Sequence, residues 1–136
     1  EIAGQIWSRL AARLPDDVTL LGTADHGLID FPEDRKHLLR GPEIDGIRFA
    51  GDTRGVHLWC DEDRANRLAE LTGATLLDPG PLFGPQQSAE AASRSGRYLL
   101  VPPSDVALLP PGFDKRLRAY HGGLDQREIE IPLLVG

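Results

Sequence analysis

Val18-Thr19-Leu20-Leu21-Gly22, followed at once by Thr23-Ala24-Asp25-His26-Gly27, is the stretch on which the fold turns. Its first half is a short, nearly continuous apolar run, the pattern of a strand covered on both faces. Ahead of it, Ile2, Ile6, Leu10 and Leu14 recur every four residues, Ala3, Trp7 and Ala11 widen the stripe, and Arg9 and Arg13 fall outside it. That spacing predicts an amphipathic helix, ended by Pro15, with Trp7 packed in the stripe. A helix feeding such a strand predicts an α/β layer. Asp25 and His26 then lie just past the strand's carboxyl end, where open α/β sheets keep their ligands.

From Asp30 to about Gly46 the chain turns polar, with Pro32, Gly41, Pro42 and the cluster Glu33-Asp34-Arg35-Lys36, and it reads as an exposed connection, a lid or a linker. Arg35, Lys36 and Arg40 could meet an anion from there, although a solvated charged loop is the stronger reading; His37 reads as solvated. Gly46 to Ala50 and Val56 to Cys60 predict a hairpin around Gly51–Gly55. Asp61 is placed to cap a helix running to about Leu71, with Gly73 near its end. Arg97 to Val101 and Val106 to Leu109 are expected to pair as a second hairpin. The organisation expected is a core layer made of 1–45 and 110–136, carrying a small β/α insertion at 46–109.

In the final segment, Tyr120-His121-Gly122-Gly123-Leu124 precedes Asp125, and Asp125 with Glu128 three positions on fits a capping box at a helix start. Pro132 requires Ile131–Val135 to be an edge strand or to enter its sheet after the proline. His57 and Cys60, three apart on a strand, face opposite ways and read as packing residues rather than ligands. Trp59 faces either the insertion's core or a substrate base.

The chain has 136 residues, enough for one domain with its own core, and its single cysteine excludes an internal disulfide. The longest apolar runs are far short of the roughly 20 residues of a membrane helix, and nothing at the start reads as a signal segment, which favours the cytoplasm. A formal net charge of -6 argues against a nucleic-acid groove, and a phosphate-bearing partner would have to be drawn by something other than bulk positive charge, with a bound metal ion the usual device. The sequence holds no Met, even at position 1, and so reads as a piece of a longer chain.

Asp25 and His26 are the sharpest chemical pair. A carboxylate oxygen and an imidazole nitrogen both ligate Zn²⁺ or Mn²⁺, and a turn can aim adjacent side chains at one ion. The same residues also suit a plain cap, with His26 bonded to Asp25. His121, in a second glycine-flanked loop, strengthens the metal reading. Leu21-Gly22-Thr23-Ala24-Asp25-His26-Gly27, His121-Gly122-Gly123-Leu124 through Glu128, and Ile131-Pro132-Leu133-Leu134 resemble the last two metal-binding motifs of the alkaline phosphatase superfamily. Among its branches they look most similar to the type I phosphodiesterases/nucleotide pyrophosphatases, and Leu82-Phe83-Gly84-Pro85 between them is similar as well.

That resemblance implies an alkaline-phosphatase-like, mainly parallel sheet with flanking helices, of which this chain is the C-terminal part. It implies two divalent metal ions, zinc or alternatively manganese, clamping a phosphoryl group. Asp25 and His26 would ligate the metal that activates a Thr or Ser nucleophile, and His121 would ligate the other. The substrate implied is a small phosphodiester or nucleotide. The nucleophile and the remaining ligands belong upstream of the Asp25 motif, and none of the first 24 residues supplies them, so this chain alone is expected to be inactive. Alternatives are a phosphomonoesterase or phosphomutase of the same superfamily, or a non-catalytic α/β binding module.

Overall fold

The computed structural model describes residues 2–136. In chain order its elements are α1 (Ile2–Ala11), β1 (Leu21–Thr23), β2 (Ile29–Asp30), β3 (Lys36–Leu38), β4 (Arg48–Asp52), β5 (Gly55–Trp59), α2 (Glu62–Thr72), β6 (Thr75–Leu77), α3 (Ala89–Arg94), β7 (Tyr98–Val101), β8 (Ala107–Leu109), β9 (Ala119–Tyr120), α4 (Gln126–Ile129) and β10 (Leu133–Val135). It is a mixed α/β fold. Pairing is antiparallel except between β3 and β8, so within the described residues the parallel character expected of the sheet is confined to that pair.

The expected first hairpin forms, and its turn is tighter than the glycines suggested: Asp52 pairs with Gly55, leaving Thr53-Arg54 as the two-residue connection. β5 continues into a four-stranded sheet of order β4-β5-β7-β6. Helix α2 starts where its chemistry dictates, the Asp61 carboxylate accepting the Arg64 N–H at 2.9 Å. It stops at Gly73, whose φ of +64° is the left-handed conformation that glycine adopts without a Cβ clash. Ala65 and Leu68 of α2 close over Val56, Leu58 and Leu100 to make the main core, which Leu39 and Leu108 complete.

Several expectations need correction. Arg97–Val101 and Val106–Leu109 do not pair with each other: β7 lies between β5 and β6, while β8 runs parallel to β3. The polar stretch after Asp30 is consequently no free lid. Phe31 and Leu39 are buried, and Lys36 is folded in with its ammonium on Glu33 at 2.6 Å and on the Lys115 carbonyl at 3.1 Å. A lysine stem buries readily when its charged end is paired. Ser88 caps the short helix α3 through the Ala91 N–H at 3.1 Å, in a stretch whose sequence lacks apolar periodicity.

The chain's ends make a second layer. β10 enters after Pro132, as the proline requires, and runs antiparallel to β1. The strand β1 is shorter than the apolar run that foretold it, and Val18 and Leu21 are exposed rather than covered. No residue of α1 is buried, and Ile2, Ile6 and Leu10 face outward together. Trp7, half-buried, lies against Gly22 and Gly136, where a Cβ on Gly22 would come within 2.6 Å of its ring.

Candidate functional site

Asp25-His26-Gly27 leaves the end of β1 and is clamped to α4. The Gly27 N–H donates to the Glu128 carbonyl at 2.8 Å, and a Cβ on Gly27 would lie 1.9 Å from the Arg127 carbonyl oxygen. Only glycine fits that approach. The His26 ring is oriented by its Nδ1, which lies 2.8 Å from the Gly27 carbonyl. Because a carbonyl only accepts, Nδ1 carries the proton and the neutral ring's Nε2 keeps its lone pair, the arrangement that prepares a histidine to ligate a cation.

His121 arrives from the other end of the chain. Its ring stacks on that of His26, centroids 3.5 Å apart and planes 12° from parallel. The two histidines singled out in separate motifs thus meet, and both are about one-third exposed. Each Nε2 faces a carboxylate. Asp25 Oδ2 stands 3.5 Å from Nε2 of His26, and Asp52 Oδ2 stands 3.5 Å from Nε2 of His121.

The donor chemistry suits divalent cations, in two incomplete halves. Two ligands bound at 2.0–2.1 Å to one tetrahedral zinc ion stand about 3.4 Å apart, close to the spacing in each His–Asp pair. Among the described residues no three His, Cys, Asp or Glu converge on one ion position. Asp25, His26 and His121 thus bring cation-type donors together without completing a coordination shell among the described residues.

The loop of His121 is braced by a buried ion pair. Arg54, in the β4–β5 turn, donates from Nη2 and Nε to Glu128 Oε2 at 3.1 and 3.3 Å, and from Nη1 to the carbonyls of Pro103, at 2.6 Å, and Val106. Glu128 Oε1 in turn accepts the Gly123 N–H at 3.0 Å. Both side chains are almost fully enclosed, and the guanidinium lies 5.2 Å from the Phe31 ring. This corrects the capping box: Asp125 caps α4 through the Arg127 N–H at 2.9 Å, but Glu128 turns inward because a buried guanidinium must be paired. Hydrogen bonds from the Arg127 side chain and amide also hold the Asp125 carboxyl well below the usual carboxylate range.

Asp52, Arg54 and the inward role of Glu128 were not visible in the sequence. Asp52 reads there as a turn residue, and no local pattern announces that its turn touches the His121 loop. Other sequence candidates lie outside the site. Nδ1 of His57 is bonded to the Ser95 carbonyl, His37 is exposed, and Arg35 is paired with Asp105 at 2.6 Å. Burial pushes the Cys60 thiol up from its ordinary value, which disfavours the thiolate. Trp59 is covered on one face by the Arg48 guanidinium at 4.0 Å. Among the described residues no helix is long and apolar enough to cross a membrane.

No protein-family model and no curated protein matches the sequence. Solved structures do match the fold. Human ectonucleotide pyrophosphatase/phosphodiesterase 5 aligns with a TM-score of 0.64 at 18% identity, over 98% of this chain and 37% of that one. Phosphonoacetate hydrolase from Sinorhizobium meliloti 1021, in complex with phosphonoformate, aligns with a TM-score of 0.63 at 18% identity, over 96% of this chain and 38% of that one. The inactive murine ectonucleotide pyrophosphatase/phosphodiesterase 5 in complex with AMP aligns with a TM-score of 0.62 at 16% identity, over 98% and 37%. This chain shares the fold of these neighbours while spanning little more than a third of their length.

Proposed function

We propose that this chain is the C-terminal portion of a metal-dependent phosphodiesterase or nucleotide pyrophosphatase of the alkaline phosphatase superfamily, its Thr or Ser nucleophile lying outside residues 1–136. The observation that carries the reading is the meeting of His26 and His121, which stack at 3.5 Å although they come from opposite ends of the chain. A shared fold alone would not require two histidines to converge.

In this reading Asp25 and His26 hold one divalent cation and His121 helps to hold a second, with zinc or manganese suited to the imidazole and carboxylate donors. Such cations, when bound, supply charge stabilisation to a transferring phosphoryl group and activate the attacking hydroxyl. The chain's own contribution is positional. The Gly27 carbonyl fixes the His26 tautomer, and the contact of Gly27 with α4 fixes where Asp25 and His26 emerge from β1. Arg54 and Glu128 set the height of the His121 loop through the Gly123 amide. A small phosphodiester or nucleotide is the proposed substrate.

The test is turnover of an aryl phosphodiester by the full-length parent protein and by its Asp25→Ala, His26→Ala and His121→Ala variants. Each is expected to lose at least about a hundredfold, at or beyond the upper end of what removing an outer-sphere partner costs. Unchanged turnover in all three would overturn the assignment. Running a monoester and a phosphonate alongside the diester separates this reading from a phosphomonoesterase or a phosphonate hydrolase built on the same fold.

A further inference from the structure

We infer that Asp52, at the tip of the β4–β5 hairpin, is the carboxylate ligand that shares a divalent cation with His121. The inference rests on the metal reading above and adds a residue that neither histidine motif contains.

The hairpin approaches the His121 loop closely. Gly122 has φ +99°, and a Cβ there would lie 2.8 Å from the Asp52 Cβ; a Cβ on Gly55 would lie 2.3 Å from the Gly122 carbonyl oxygen. Glycine at both positions therefore lets turn and loop touch. Arg54, the second residue of the same turn, locks them together through Glu128 and the Gly123 amide. A hairpin end packed this tightly delivers the Asp52 side chain to one place.

Its orientation repeats that of Asp25. In each aspartate, Oδ1 accepts the backbone N–H of the following residue, His26 at 3.1 Å in one case and Thr53 at 2.6 Å in the other. In each, Oδ2 is left facing an imidazole Nε2 at 3.5 Å. That separation exceeds the 2.7–3.2 Å of a good hydrogen bond, and it matches the roughly 3.4 Å between two ligands of one tetrahedral ion. The Thr53 hydroxyl adds a contact to Asp52 Oδ1 at 3.3 Å, which further fixes which oxygen is free. The Asp52–His121 pair thus mirrors Asp25–His26 across the stacked rings, one carboxylate and one imidazole for each of two ions.

The experiment is a Co²⁺ titration of the metal-free full-length parent protein, followed by visible and near-ultraviolet absorption and by the imidazole proton signals. A Cys60→Ser background removes the thiol of residues 1–136, and its spectrum is the reference. Adding Asp52→Cys is expected to produce a thiolate-to-cobalt charge-transfer band that His121→Ala weakens at least about tenfold in Co²⁺ affinity. Asp52→Asn, which retains the Oδ1 acceptor and so the turn, is expected to weaken the Co²⁺ effect on His121 by about tenfold while sparing that on His26. If Co²⁺ still perturbs His121 but no band appears and Asp52→Asn changes nothing, the assignment of Asp52 is wrong and the wider metal reading stands. If Co²⁺ perturbs neither histidine, both fall.

Discussion

Around β5 and β7, Val56, Leu58 and Leu100 are completely enclosed, whereas along α1, β1 and β10 the side chains of Ile2, Leu21, Leu133 and Val135 are between 65% and 75% exposed. The first region builds most of its core from elements close by in sequence, one hairpin and one helix with two further strands, and Leu39, next after β3, and Leu108 of β8 complete it. The second has the patterning of a buried layer without the cover. Asp25 and His26 stand on the open layer, while Asp52 stands on the closed sheet and His121 on the loop pressed against it. The candidate site is therefore assembled at the seam, and Arg54–Glu128 is the bolt across it.

Breaking the bolt should have the largest effect. Glu128→Ala leaves the Arg54 guanidinium buried without its partner and is expected to cost about 3–5 kcal/mol in a urea unfolding experiment, with faster amide exchange at Gly123. A cost below about 1 kcal/mol would mean that the two regions are not joined there. Next comes a paired comparison within the two layers. Leu58→Ala removes a side chain with no exposed surface and should cost about 2–5 kcal/mol. Leu133→Ala, 70% exposed, should stay within about 0.5 kcal/mol. Equal costs at the two positions would erase the distinction between closed and open regions.

The parts of this architecture that are local in origin were legible in the sequence. Asp61 and Gly73 bound α2 because a capping carboxylate and a left-handed glycine act within one turn of the chain. The β4–β5 hairpin and the late entry of β10 follow in the same way from a short turn and from Pro132. The two histidine loops were legible as candidates because glycine flanked a potential ligand. What stayed hidden is set by distant partners. Lys36 looked solvated until β8 paired with β3 and folded its stem inward, and Glu128 fitted a local box until Arg54 reached it from the hairpin. Asp52 belongs to the same class, since its neighbour His121 is brought to it by packing rather than by spacing.

The central claim is that His26 and His121, out of four histidines, form one cation-binding centre. Paramagnetic broadening of the imidazole proton signals by low concentrations of Mn²⁺ tests it most directly, because it detects even weak, partly liganded sites. The account predicts that the His26 and His121 signals broaden together at the lowest Mn²⁺ added while those of His37 and His57 stay sharp. Broadening of all four alike, or of neither His26 nor His121, would contradict it.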